Sequence, residues 1–131
     1  MFLIPLYHRF FEFKNEDLNF FDAQSQCEDL GGRLAEPRNQ EQFDFVVTFT
    51  ERADLFWLGG TDILQDDLWL WNSDNSTIDL DRFWRNTEPN NLGGNERCLE
   101  IRSRQFNDIP CERTQPFVCE FAAIGDVPLC S

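Results

Sequence analysis

A chain of 131 residues is long enough for one domain to bury a core without help from a partner. Its 24 acidic residues against 11 basic ones leave a formal charge of -13, which excludes phosphate backbones and anionic lipid surfaces as partners and favours cations. A composition that is 15% aromatic, with 14 Phe and 4 Trp, excludes disorder.

The opening MFLIPL is apolar but shorter than a signal-peptide core and carries no basic leader. Two origins fit it: a removed secretion signal with a supplied Met, or a domain cut from a longer chain. Leu6–Phe13 is aromatic-rich and reads as a strand, with Lys14–Asp17 as its polar turn. In NFFDAQSQCEDLGG, Asn19 is the expected N-cap, Ala23, Cys27 and Leu30 share one helical face, and Gly31-Gly32 ends the helix. A second helix is expected from Asn39, where Asn39 and Gln42 resemble a capping box and Phe43, Val46 and Val47 keep helical spacing.

LFWLGG, Leu55–Gly60, reads as a short apolar strand ended by glycines. Thr61–Leu92 is rich in Asp, Asn and Pro and is interrupted by Leu68-Trp69-Leu70-Trp71, a pattern of long loops pinned by aromatics. Cys98–Ile101, Gln105–Ile109 and Pro116–Phe121 are three short closing strands. The order of elements is that of an α+β domain. No apolar run approaches the ~18 residues of a membrane span, so no membrane insertion is expected.

Five cysteines are present, Cys27, Cys98, Cys111, Cys119 and Cys130, and none forms a C-x-x-C pair. Zinc-ribbon and thioredoxin-type sites are thereby disfavoured; disulfides in a secreted or extracellular domain fit better. The odd count leaves one thiol over.

Glu88, Asn90 and Glu96 gather around a proline and two glycines, and Asn107-Asp108 follow in QFNDIPC. Three carboxylates and two amides form an all-oxygen donor set, which suits Ca²⁺ better than the tighter octahedron of Mg²⁺. A disulfide between Cys98 and Cys111 would draw the two halves together. A cis bond at Pro89 would turn Glu88 and Asn90 to one side, where carboxylate acceptors and amide donors satisfy a hydroxyl. A solvated surface turn is the plain alternative. An EF-hand reading fails, because Asp79 and Asp81 are followed by Phe83 and Trp84 where an oxygen ligand and Gly are needed. The single His8 lies in an aromatic strand, so no Ser-His or Cys-His pair is in view and catalysis is not expected.

Together, the helix holding Cys27, LFWLGG, Trp84 ahead of Glu88-Pro89-Asn90, Glu96-Arg97-Cys98, Asn107-Asp108 before Cys111, and Phe117-Val118-Cys119-Glu120 resemble a C-type lectin domain of the mannose-type, Glu-Pro-Asn subgroup. The resemblance runs from about Tyr7 to Phe121, leaving 122–131 as a tail of a single domain spanning 1–131. It implies the double-loop fold with two helices, short antiparallel sheets and a long Ca-binding loop region, and disulfides Cys27–Cys119 and Cys98–Cys111. It also implies a Ca²⁺ held by Glu88, Asn90, Glu96, Asn107 and Asp108. Vicinal hydroxyls of mannose, GlcNAc or fucose would complete the coordination, whereas Gln-Pro-Asp goes with galactose.

Three positions depart from the family pattern. Phe106 replaces the usual Trp in a packing role, and the N-terminal cysteine of longer forms is absent. Arg97 falls among positions that hold an auxiliary Ca²⁺ in some relatives, here Asp62, Asp66, Asn91, Glu96 and Arg97, and a guanidinium repels the ion. Asn75-Ser76-Thr77 is a glycosylation sequon, and Cys130 is either a thiol of the tail or the link of a covalent homodimer. The expected function is Ca²⁺-dependent binding of glycans without catalysis; the alternative is a lectin-like module for a protein or other ligand.

Overall fold

The computed structural model describes residues 9–78 and 95–122. Leu6–His8, the Asp79–Trp84 stretch, the Glu88-Pro89-Asn90 turn with Asn91, and Cys130 with its tail lie outside the described residues. In chain order come β1 (Arg9–Leu18), α1 (Phe20–Asp29), β2 (Arg33–Leu34), α2 (Gln40–Val47) with a 3₁₀ turn over Thr48–Glu51, β3 (Leu55–Thr61) and β4 (Leu70–Trp71). Then follow β5 (Cys98–Arg102), β6 (Gln105–Ile109) and β7 (Gln115–Ala122).

The strands join in one sheet, ordered β1-β7-β3-β5-β6, with β2 on β7 and β4 on β3. All pairings are antiparallel except β3 with β7, which are parallel at Trp57 and Phe117. Successive side chains on a strand point to opposite faces. The central strands therefore feed two cores. Phe56, Leu58, Leu99, Ile101 and Val118 enter one, with Phe43, Val46 and Val47 of α2. Trp57, Cys98, Phe117 and Cys119 enter the other, with Phe20, Ala23 and Cys27 of α1.

Both helices start as their sequences dictate. Asn19 Oδ1 accepts from the Asp22 amide at 2.9 Å, and Asn39 Oδ1 accepts from the Gln42 amide at 2.8 Å. The Gln42 side chain reaches back to the Arg38 amide at 2.9 Å, closing the box one residue earlier than the simplest pattern. Gly31, at φ +93°, ends α1 in the left-handed region. A Cβ on Gly32 would stand 2.4 Å from the Glu120 carbonyl oxygen, so only glycine lets α1 turn this tightly onto β7.

The polar run Lys14–Asp17 is not a turn. It lies within β1, which holds β7 from Arg9↔Ala122 to Lys14↔Phe117 and regains it at Leu18↔Gln115 after a register shift. The edge position leaves these polar side chains toward solvent, and Trp57 Nε1 donates to the Leu18 carbonyl at 2.9 Å. Cys27–Cys119 ties α1 to β7 across 92 residues, and Cys98–Cys111 closes the β5–β6 hairpin. Their Cα separations of 5.5 and 5.2 Å are ordinary for disulfides.

Candidate functional site

The β5–β6 hairpin positions three of the five expected ligands. Asn107 and Asp108 are consecutive on β6, opposite Glu100 and Leu99 of β5. Glu96 enters β5 two residues ahead of Cys98, which faces Ile109. All three therefore sit at the disulfide-closed end of one hairpin, while Glu88 and Asn90 fall outside the described residues. Phe106, just before them, is fully buried and meets Phe43 and Trp71 edge-on at 5.4 and 6.1 Å. It fills the packing role expected of it.

Glu100 was not singled out by sequence reasoning, yet it orients the site. A lone acid in the apolar run Cys98–Ile101, it is fully buried and accepts from Arg102 Nε at 2.6 Å, Asn107 Nδ2 at 2.6 Å and Gln115 Nε2 at 3.1 Å. Burial pushes its carboxyl above the ordinary range, against the opposing pull of Arg102, Asn107 and Gln115. The bond to Asn107 engages the donor side of that amide and directs its oxygen to the role of acceptor. An oxygen ligand needs that orientation, so the described residues fit a hard cation.

The second acidic group lies in the loop after β3. Asp62, Asp66 and Asp67 bring carboxylate oxygens within 4.8 Å of one another, near enough to share a divalent ion. Asp67 had not been included with Asp62 and Asp66; the consecutive Asp66-Asp67 was its only sequence signal. Arg97 stands against this group. Its Nη1 lies 3.2 Å from the Asp62 carbonyl and 3.5 Å from Asp62 Oδ1, and its Nη2 lies 3.5 Å from Asp66 Oδ1. Asp62 also accepts the Asp67 amide at 3.0 Å. Burial raises the Asp62 carboxyl, more than the Asp67 amide and Arg97 lower it. Arg97 thus sets a cation beside acids that are otherwise close enough to hold a divalent ion.

A third group of acids anchors the scaffold. Glu120 accepts from Arg9 Nε at 2.6 Å, Arg33 Nη2 at 2.8 Å and the Glu36 amide at 2.8 Å. Glu36 pairs with Arg38 and accepts from the Ser73 amide and hydroxyl at 2.9 and 2.8 Å. Arg38 continues to Asp74 at 2.9 Å, whose carboxyl that contact, with Ser76, holds well below its usual range.

Residues 16–121 match the family described as Lectin C-type domain. The chain belongs to the C-type lectin family. It is 33% identical to the hepatic lectin of Gallus gallus over 86% of its own length and 54% of that protein's. It superimposes on the carbohydrate-recognition domain of mouse scavenger receptor C-type lectin with a TM-score of 0.80 at 30% identity, covering 88% of this chain and 89% of that one. The cow CD23 domain, solved in the presence of a GlcNAc2Man3 oligosaccharide, gives 0.76 at 28% identity and 88% of each chain. The chain spans about half the length of the curated relatives it matches.

This C-type lectin domain has the family's two-helix α+β architecture and both of the expected disulfides. Membership is consistent with a binding module and not a catalyst. With its kinship to extracellular lectin domains and its disulfides, the domain is an extracellular one. Among the described residues no helix is long and apolar enough to cross a membrane. Both disulfides are intramolecular, and Cys130, the expected dimer link, lies outside the described residues.

Proposed function

We propose that this C-type lectin domain binds mannose-type sugars through one Ca²⁺, held by Glu88, Asn90, Glu96, Asn107 and Asp108. The observation that carries the reading is the gathering of Glu96, Asn107 and Asp108 at the end of a disulfide-closed hairpin, with Asn107 oriented by Glu100. Bound there, the ion would supply Lewis acidity and open coordination positions to a pair of vicinal hydroxyls. The chain's own carboxylates accept hydrogen bonds from those hydroxyls, and its amides donate to them. Glu88 and Asn90, in the order acid then amide, set the hydroxyl pattern that favours mannose, GlcNAc and fucose over galactose. The protein carries one such ion, because Arg97 faces the remaining acidic group. Glycans are its partners, and a homodimer through Cys130 would add avidity to a weak single site.

Calorimetric titration with mannose and with galactose, each in Ca²⁺ and in excess chelator, tests the proposal. Mannose should bind in Ca²⁺ with a Kd on the order of 1 mM, and galactose more weakly. Chelator should abolish binding while the near-ultraviolet circular dichroism of the fold persists, since each disulfide contributes about 2–4 kcal/mol independently of metal. Mannose binding that survives chelation would overturn the metal mechanism. A preference for galactose would overturn the role given to Glu88 and Asn90.

A further inference from the structure

Asn75 lies at the rim of a depression between α1 and the loop after β3, about 280 Å³ in volume, below the ~300–1,000 Å³ of pockets that engulf a whole small-molecule ligand. Three large apolar side chains line it and remain open to solvent: Phe21 at 53%, Ile63 at 45% and Leu64 at 71% exposure. The Phe21 ring is braced edge-on against buried Phe20 at 5.4 Å. Across the floor, Asn72 Nδ2 donates to Gln24 Oε1 at 2.9 Å, so hydrogen-bonding groups stand beside the apolar ones. The lining thus sets three exposed apolar side chains beside the hydrogen-bonding groups of Gln24, Asn72 and Asn75.

We propose that Asn75 carries an N-linked glycan whose first sugar lies over Phe21 and Leu64 as the cover of this patch. Asn75-Ser76-Thr77 satisfies the sequon, and Asn75 and Thr77 are exposed. The turn that carries them is firmly built: the Asn75 amide donates to the Trp71 carbonyl at 2.9 Å, and the Trp71 amide donates to Ser76 at 2.9 Å. Asn75 itself sits at φ +59°, a conformation that Asn tolerates better than most residues. Attachment requires a lipid-diphosphate-linked oligosaccharide as donor. The Asn75 side-chain nitrogen Nδ2 forms its bond to the anomeric carbon, the bond from that carbon to the diphosphate oxygen breaks, and one Nδ2 proton is released as the lipid diphosphate leaves. A hexopyranose presents C–H groups on one face and hydroxyls around its edge. The former suit Phe21 and Leu64, and the latter suit Gln24 and Asn72.

The test is secretion of the full chain from a eukaryotic host, with intact-mass measurement before and after peptide N-glycosidase. The wild type and Thr77→Ser should carry a sugar that the enzyme removes, and Thr77→Ala should carry none. Fluorescence of a dye that binds exposed apolar surface is then compared among the intact glycan, the glycan trimmed to its first GlcNAc, and the sugar-free protein. Signal should stay low in the first two and rise severalfold in the third, whether sugar is absent by Thr77→Ala or by enzymatic removal from folded protein. Phe21→Ser in the Thr77→Ala background should reverse most of the rise. An unmodified Asn75 in the wild type overturns the proposal. Equal dye binding with and without the sugar, or a rise indifferent to Phe21→Ser, overturns the cover.

Discussion

Glu120 and Asp62 are both acids with 1% of their surface exposed, and the protein treats them in opposite ways. Glu120, in the scaffold, receives two arginines and a backbone amide, all between 2.6 and 2.8 Å. Asp62, in the loop after β3, receives one backbone amide at 3.0 Å and one guanidinium at 3.5 Å, and burial dominates its proton affinity. A buried carboxylate is tolerated when its lone pairs are filled and is costly when they are not. The scaffold acid is saturated by partners more than 80 residues away in sequence. The loop acid keeps capacity for a partner, and here Arg97 supplies it.

The largest effect that follows is at Glu120. Glu120→Ala strips Arg9 and Arg33 of their common partner and should cost about 3 kcal/mol, the lower end for a broken buried pair because both arginines reach solvent. Urea denaturation in chelator measures it. Asp62→Asn, read in the same assay, should stay within about 1 kcal/mol of wild type, because burial already disfavours the charged form it removes. Equal losses at the two positions would erase the distinction between a saturated and an undersatisfied acid.

Arg97 gives a sharper and smaller contrast. Arg97→Asp takes the resident cation away from Asp62 and Asp66 and adds a carboxylate, so the variant should bind one Ca²⁺ more than the wild type by calorimetry. Its loss of stability in chelator should fall between those of Asp62→Asn and Glu120→Ala, because buried Asp62 loses its cation and gains a like charge. Wild-type protein that already binds two comparable ions would show that the guanidinium does not exclude metal.

The smallest effect concerns pH. Asp74 is exposed, and its carboxyl is held low chiefly by Arg38. The stability from this contact is therefore complete above the ordinary carboxylate range and is lost as pH falls through the depressed value. Asp74→Asn should lower the melting temperature slightly at pH 7, and the difference should stay constant down to about pH 4 and narrow progressively below it. A gap that stays constant on further acidification would assign the effect to packing instead.

Much of this was written locally in the chain. Asn19 and Asn39 announced their helices because an N-cap acts within three residues, and Gln105–Ile109 was legible as one of three short closing strands. The expected cysteine pairs and Arg97 as a misfit among metal ligands were legible by resemblance, since each belongs to a short motif. Glu96, Asn107 and Asp108 were likewise visible as chemistry, an oxygen donor set around a rigid turn.

Only the tertiary structure decided the remainder. Lys14–Asp17 looks like a turn because it is polar, and it continues a strand because β7 lies alongside and the edge faces water. Glu36, Glu100 and Glu120 look like surface acids in sequence; Arg38 and Arg102 stand two residues from the first two, but Ser73, Asn107, Gln115, Arg9 and Arg33, which complete their hydrogen bonding, come from other elements. The bond that Asn107 donates to Glu100, which turns its amide, depends on the register of β5 against β6. Local sequence specifies which groups can bind a cation; the long-range pairing of strands specifies which of them are left pointing an oxygen at it.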